Sequence, residues 1–321
     1  MEASIIIPTY NRAEMLRRCL EALSDQTQPS DDFEVIVVVD GSIDGTREML
    51  ASLKTPFSLR TIQQPNSGQP AALNRGAAES KAGISIFLDD DIIVTPQFVA
   101  EHLRLHQTRG RVVGIGQLTL TLPLGADWYA RGFARGWREH YEEFNRGQRQ
   151  PDWDDCYGGN MSVSRAAFMA VGGNVTDLRR GYDVELAYRL KQSGCSFAYL
   201  PEARGNQFES KSFRELSRDS ELAGDASVEL ARRYPVAESK LFHDFEKHRR
   251  LWLLLWRVLW LADLSEQGLE RLHRLAGRRG ESFEWFVFFS NYYFWRGVRR
   301  AAPERVDWKQ IIQLKKRGNL A

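Results

Sequence analysis

Short apolar runs alternate with segments of helical spacing through the first ninety residues. "ASIIIPTYN" opens as a buried strand expected to stop at Pro8, and "FEVIVVVD" is a second run, apolar almost throughout. "SLRTIQQ" is a weaker third and "ISIFLDDD" a fourth. Strands that are apolar on both faces belong to covered parallel sheets, whereas one-sided strands alternate. Between them, "NRAEMLRRCLEALSDQ" places Met15, Leu16, Cys19, Leu20 and Leu23 at helical spacing. "REMLASL" and the alanine-rich "GQPAALNRGAAESK" supply two more helices, and Thr46 or Asp44 in "GSIDGT" is the expected cap of the first of these. Strand and helix in strict alternation predict an α/β fold with a mostly parallel central sheet flanked by helices.

Beyond residue 100 the pattern loosens. "RVVGIGQLTLTLP" alternates as a strand, and "DWYARGFARGWREHYEEFNRG" reads as a helix weakened by glycines. "YGGNMSVSRAAFMAVGG" is a glycine turn, a short strand and a helix, and "YDVELAYRLKQSG" is a helix closed by Gly194. From about residue 213 the chain reads as mostly helical. The expected division is 1–215 for an α/β domain and 216–321 for a helical, aromatic and basic region.

In open α/β sheets ligands bind at the carboxyl ends of the strands. Three polar clusters fall there: Thr9-Tyr10-Asn11, Asp40-Gly41-Ser42 and Asp89-Asp90-Asp91. Adjacent like charges raise one another's pKa, so the aspartate triplet needs a partner or open water. Asp89 and Asp91, two apart on extended backbone, share a side and suit a hard divalent cation such as Mg²⁺ or Mn²⁺. The alternative is a solvated acidic loop. Asp40 is placed to accept an N–H from a base, with Gly41 allowing close backbone approach, or else to cap a turn. Asp183 and Glu185 lie where a helix N-terminus favours ionised carboxylates, which suits a general base or is simply first-turn preference. Trp153 either stacks on a sugar face or packs.

Bulk properties restrict the setting. The chain has 321 residues, of which 43% are apolar or aromatic and 27% charged, enough for a full core. Its three cysteines, Cys19, Cys156 and Cys195, fit neither a zinc spacing nor a disulfide framework, which favours a reducing compartment. The first residues lack the basic leader and apolar length of a signal peptide. A cytoplasmic location is therefore expected. Net charge is +2 but uneven: residues 231–321 hold 19 basic and 10 acidic side chains, a balance of +9, and the remainder −7.

Six of nine tryptophans follow residue 250, with Trp252, Trp256 and Trp260 on one helical face. "LWLLLWRVLWLADL" falls short of the ~20 apolar residues a bilayer requires. "FEWFVFFSNYYFW" packs nine aromatics into thirteen residues and precedes Arg296, Arg299 and Arg300. Aromatic and basic residues together suit a peripheral contact at the inner face of a membrane. Packing of these helices on the catalytic domain or on a second copy of the chain is the simpler expectation. No nucleic-acid partner is expected, since the basic tail "QIIQLKKRGNLA" accompanies no recognised nucleic-acid fold.

In order, "SIIIPTYNR", "VVVDGSIDGT", "NSGQPAALNRG", "FLDDDIIVTP", "GGNMSVSRAAFMAVGG" and "GYDVELAYRL" resemble the bacterial-type, inverting family 2 glycosyltransferases of GT-A fold. The resemblance covers about residues 3 to 215. It implies transfer of a sugar from a nucleotide diphosphate sugar, UDP being the commonest carrier, to a hydroxyl of a glycan or lipid-linked acceptor. It implies a donor site of Pro8, Thr9, Asn11, Asp40, Gly41, Asn74, Asp89 and Asp90, with Asp89 and Asp91 as the metal-binding Asp-x-Asp. Trp153, Gly159 and Asn160 would border sugar and acceptor, and Asp183 would be the base. Two departures stand out. The usual Glu before the base is Tyr182, and the stretch "PEARGNQFESKSFREL" lacks the His of many members, with Gln207 or Glu209 about where it would stand. Glu209 is accordingly a candidate third metal ligand. The alternatives are a nucleotide-sugar-binding protein with weakened turnover and an interaction module built on the aromatic helices.

Overall fold

A computed structural model describes residues 1–237, 241, 265–278 and 283–302. In chain order the main elements are β1 (Ala3–Thr9), α1 (Ala13–Ser24), β2 (Phe33–Asp40), α2 (Thr46–Ser52), β3 (Ser58–Gln64), α3 (Gln69–Glu79), β4 (Ile84–Leu88) and β5 (Ile92–Val94). There follow α4 (Phe98–Thr108), β6 (Val112–Thr121), α5 (Trp128–Asn145), β7 (Asn160–Ser164), α6 (Arg165–Ala170), α7 (Tyr182–Gln192) and β8 (Ser196–Phe208). The described C-terminal helices are α8 (Phe213–Arg233), α9 (Glu266–Arg278) and α10 (Phe283–Ala301). The chain forms two compact units, residues 1–121 with 137–209, and residues 122–136 with 210–321.

The first unit holds one eight-stranded sheet in the order β3-β2-β1-β4-β7-β6-β8-β5. β3, β2, β1 and β4 are mutually parallel, as the apolar runs predict, while β7 enters antiparallel between β4 and β6. Strand period two sorts the β2 side chains onto opposite faces. Val35, Val37 and Val39 join the main core, whereas Ile36 and Val38 pack with Ala72 of α3. Gly76 lets α3 lie close on the sheet, because a Cβ there would collide with Ile6.

β1 runs through Pro8 to Thr9 rather than stopping at the proline. Its register with β4 ends at Ile6, while pairing with β2 continues to Thr9. A residue without an N–H is tolerated where a strand is paired on one side only. β8 is the least legible strand, since its thirteen residues "SFAYLPEARGNQF" include a proline, a glycine and several charges. Its parallel register with β6 shifts between Gly116 and Leu118.

In the second unit the aromatics of α10 point inward. Phe286, Phe288, Phe289, Tyr292, Tyr293 and Trp295 are buried in a cluster with Trp128, Tyr129 and Phe213. The aromatics are therefore buried within this unit, rather than on the first unit or on a second copy as expected. α8 and α10 approach through Gly224 and Gly297, where any side chain would strike the backbone of the facing helix. Trp252, Trp256, Trp260 and the basic tail lie outside the described residues. Among the described residues no helix is long and apolar enough to cross a membrane.

Candidate active site

The loops after β1 and β2 are stitched together by short polar side chains. Asn11 holds a left-handed backbone at φ 53°, a conformation Asn tolerates better than most residues. Its backbone N–H donates to Ser42 Oγ (3.0 Å), and its Oδ1 accepts from the Ile43 N–H (2.8 Å). Asp44 serves two helices. It accepts from the Ala13 N–H at the start of α1 (3.0 Å) and from the Thr46 hydroxyl (2.5 Å). The N-cap of α2 itself is Gly45, in left-handed conformation. Pro8 and Thr9 are buried beneath this loop.

Asp40, at the end of β2, is buried and organises the approach to α3. Its Oδ1 accepts from Gln64 Nε2 and the Ser67 N–H, and its Oδ2 from the Gly68 N–H, each at 2.8 Å. A carboxylate has about four acceptor sites, so one remains for a ligand N–H. Gly41, at φ +81°, lies so close to this loop that a Cβ would sit 2.8 Å from the Asn66 nitrogen.

The three aspartates after β4 have different partners. Asp89 accepts from Gln69 Nε2 (2.7 Å), and its backbone N–H donates to the Gly159 carbonyl (3.2 Å). Asp90 accepts from the Thr9 hydroxyl (2.7 Å) and from Arg12 (3.1 Å). Asp91 accepts from Arg12 (3.0 Å) and from Gln207 Nε2, at 3.2 and 3.3 Å to its two oxygens. Sequence reasoning passed over Arg12 and Gln69. The signal for Arg12 was its place in the same strand-end cluster as Asn11.

Asp183 stands in the first turn of α7, behind Gly181 in left-handed conformation. Its Oδ2 accepts from the Gly158 N–H and its Oδ1 from the Val184 N–H, both at 2.9 Å. The Gly158-Gly159 turn thus links the two segments: the Gly158 N–H donates to the Asp183 carboxylate, and the Gly159 carbonyl accepts from the Asp89 backbone N–H. Gly159 cannot be enlarged, because a Cβ would lie 2.6 Å from Asp89 Oδ2. Glu185, two residues on, is fully buried and forks with Arg189 (2.5 Å), which also donates to the Gly173 carbonyl (2.6 Å). That arrangement locks α7 in place.

Four expected site residues are turned elsewhere. Asn160 is buried in the core, donating to the Ala203 and Gln117 carbonyls (2.9 and 3.3 Å) and facing His102 Nε2 (3.0 Å). Gly159, in the turn just before β7, borders Asp89, while Asn160 opens the strand and points into the core. Trp153 is buried edge-on against Tyr188 and offers no face to a sugar. Asn74 spends its amide on the backbone of Asn174, donating at 2.8 Å and accepting at 2.7 Å. Glu209 does not join Asp89 and Asp91 in a metal cage, since no group of three or more metal-ligating side chains occurs among the described residues. Gln207, not Glu209, reaches Asp91.

The charge balance of the site fits a divalent cation. Burial, then the charges of Asp91, Asp90 and Asp183, push the Asp89 carboxyl up to about 8. Burial also raises Asp183, against the lowering effect of its two backbone N–H donors. Arg12 offsets only part of this excess. Mg²⁺ and Mn²⁺ are commonly held by one or two carboxylates plus substrate phosphates, so Asp89 and Asp91 are the residues that could hold such an ion without a third protein ligand.

Residues 4–172 match Glycosyl transferase family 2. The chain belongs to that family. Glycosyltransferase AglE of Haloferax volcanii is 28% identical over 232 residues, 71% of this chain and 73% of AglE. Validoxylamine A glucosyltransferase of Streptomyces hygroscopicus subsp. jinggangensis is 29% identical over 228 residues, 63% of this chain. This family 2 chain spans only 54% of that relative's length. The fold is similar to the mannosyltransferase PcManGT of Pyrobaculum calidifontis in complex with GDP-Man and Mn²⁺, with TM-score 0.64, 17% identity and coverage of 94% and 88% of the two chains. It is also similar to S. aureus TarS 1–349 in complex with UDP-GlcNAc, with TM-score 0.54, 14% identity and coverage of 72% and 67%. The GT-A expectation is therefore met, and the chain is a family 2 glycosyltransferase.

Proposed function

We propose that this glycosyltransferase moves a sugar, with inversion, from a nucleotide diphosphate sugar to a hydroxyl of a glycan or lipid-linked acceptor, with Asp183 as general base. The observation that supports the reading is the Gly158-Gly159 turn, which contacts both the Asp183 carboxylate and Asp89 and keeps the two near enough for the Asp183 charge to act on Asp89. The Asp183 carboxylate takes the acceptor hydroxyl proton while the oxygen forms a bond to the anomeric carbon. The bond from that carbon to the diphosphate breaks on the opposite face, and the nucleoside diphosphate leaves with the electron pair. A carboxyl raised above its ordinary value is a stronger base than a solvent-exposed one. Asp89 and Asp91 are the residues that would hold Mg²⁺ or Mn²⁺, which supplies charge stabilisation to a leaving diphosphate.

UDP is the favoured carrier by the family resemblance, and the remaining acceptor site on Asp40 is compatible with the N–H of a pyrimidine base. Asn11, Asp40, Gly41 and Asp90 shape the donor side, and Gly159 borders the sugar. The reading carries a cytoplasmic location, peripheral at the inner membrane face when the acceptor is lipid-linked. Its test is Asp183→Asn. UDP binding by calorimetry in Mn²⁺ is expected to stay within about threefold of the parent, while transfer or donor hydrolysis falls about 10²–10⁴-fold. Undiminished turnover would remove Asp183 from the reaction.

A further inference from the structure

We infer that Arg12 is a placeholder cation, pairing with Asp90 and Asp91 until a divalent ion takes Asp91 and then turning to the donor diphosphate. This rests on the proposed cation-dependent donor site. Arg12 lies in the loop between β1 and α1, with half of its side chain exposed, while its partners Asp90 and Asp91 are 6% and 13% exposed. One nitrogen, Nη1, spans both carboxylates, at 3.1 Å to Asp90 Oδ1 and 3.0 Å to Asp91 Oδ2. The bond to Asp90 is reinforced by Thr9, so Asp90 is held whether or not Arg12 stays.

Asp91 differs. Its donors are Arg12 and Gln207, and the two Gln207 distances are long. A dication on Asp91 repels a guanidinium 3.0 Å from the same carboxylate. The exposed half of Arg12 gives it somewhere to go. A guanidinium presents five N–H donors in a planar fork that suits phosphate oxygens. The aspartates that release Arg12 would also mark where the diphosphate sits, since they are the residues that would hold a cation shared with it. Cation and donor would then bind in a linked order: the ion frees the arginine, and the arginine completes the diphosphate site.

The test uses Mn²⁺ alone, followed by electron paramagnetic resonance of the free ion, on the full chain and on Arg12→Gln and Arg12→Lys. UDP affinity at saturating Mn²⁺ is measured by calorimetry on the same proteins. Arg12→Gln is expected to bind Mn²⁺ alone about tenfold more tightly and UDP about tenfold more weakly. Arg12→Lys keeps the charge but loses the fork, so its Mn²⁺ affinity should stay near the parent value while UDP binding still weakens. Unchanged or weaker Mn²⁺ binding by Arg12→Gln, with the parent binding normally, overturns the placeholder and leaves the cation site standing. Unchanged UDP binding overturns the turn to diphosphate. No Mn²⁺ binding by the parent even with UDP removes the cation site and the inference together. Circular dichroism and Tm show whether each variant is folded. If Arg12→Gln does not fold, Arg12→Lys still decides the matter: UDP binding equal to the parent overturns the inference, and weakened UDP binding with parental Mn²⁺ affinity supports it.

Discussion

Two polar clusters lie on either side of the start of β7, and they have opposite characters. Asn160, His102, Ser162 and His106 form a chain whose hydrogens can be assigned from its ends. Asn160 Nδ2 faces two carbonyls, so Oδ1 faces His102 Nε2 and that nitrogen must carry a proton. Neutral His102 then accepts from the Ser162 hydroxyl at Nδ1 (2.8 Å), and Ser162 accepts from His106 Nε2 (2.9 Å). The chain ends at His106 Nδ1, which is buried without a hydrogen-bond partner. Nearly every polar atom is satisfied and none is charged. Around Asp89, by contrast, four carboxylates crowd together, Arg12 pairs with two of them, and the excess charge shows as a carboxyl raised to about 8. A buried polar set that closes on itself specifies structure, whereas one that cannot close calls for a ligand.

Isosteric exchange sharpens that contrast, with the largest effect in the closed chain. Asn160→Asp keeps the shape but turns two donors into acceptors facing the Ala203 and Gln117 carbonyls. It also buries a charge beside a histidine that prefers to be neutral. A loss of about 3–5 kcal/mol is expected by urea denaturation. A loss below about 1 kcal/mol would mean that Asn160 is exposed to ligand or solvent after all.

The reverse exchange, Asp89→Asn, retains the acceptor for Gln69 and removes the cost of holding a proton on the crowded Asp89 carboxyl at pH 7. In EDTA the variant is expected to be more stable by about 1–2 kcal/mol at pH 7, a value discounted for the solvent contact of the carboxylate. Mn²⁺ should no longer strengthen UDP binding. A destabilised variant would show that the Asp89 charge already has its partner.

The same contrast explains what the sequence made legible. Apolar runs ending in Asp40 and Asp89 announced parallel strands and placed their carboxylates at the ligand-binding edge, because strand ends and sheet edge coincide in this fold. The direction of a side chain within a glycine turn was not legible. Gly159 and Asn160 are adjacent, yet one lines the site and the other enters the core, and only the register of β7 with β4 separates them. A clue existed: Asn160 and Ser162 are two apart on a strand, and His102 and His106 four apart on a helix, each pair sharing one face. Trp153 and Asn74 were placed at the site by the family resemblance, but Trp153 packs against Tyr188 and Asn74 hydrogen-bonds to the Asn174 backbone. Arg12 and Gln69 carry no chemistry until the carboxylates stand beside them.

The smallest effect, and the one that separates the two clusters in a single experiment, is their opposite dependence on pH. Burial holds His102 at about 3 and His106 at about 4 in the closed chain, and, outside both clusters, burial together with the Arg149 charge holds His140, beside Asp155, at about 4. Unfolding returns each to about 6.5, so between these values the unfolded chain binds more protons. Their contribution is fully present above about pH 6.5 and is lost as pH falls from there. Asp89 behaves inversely: the folded state keeps its proton up to about 8 and the unfolded chain releases it near 4. Its contribution is therefore lost as pH rises across that range, with Asp90 and Asp183, also raised, adding to the loss. On the acid side the histidines act against the aspartates, but above about pH 6.8 the unfolded histidines have lost most of their protons and Asp89 dominates, so stability in EDTA should fall by about 0.3 kcal/mol toward pH 7.5. In Asp89→Asn, or in the parent with excess Mn²⁺, the alkaline fall should flatten while the acid fall remains. An alkaline fall that persists in both would place the excess charge somewhere other than the aspartate triplet.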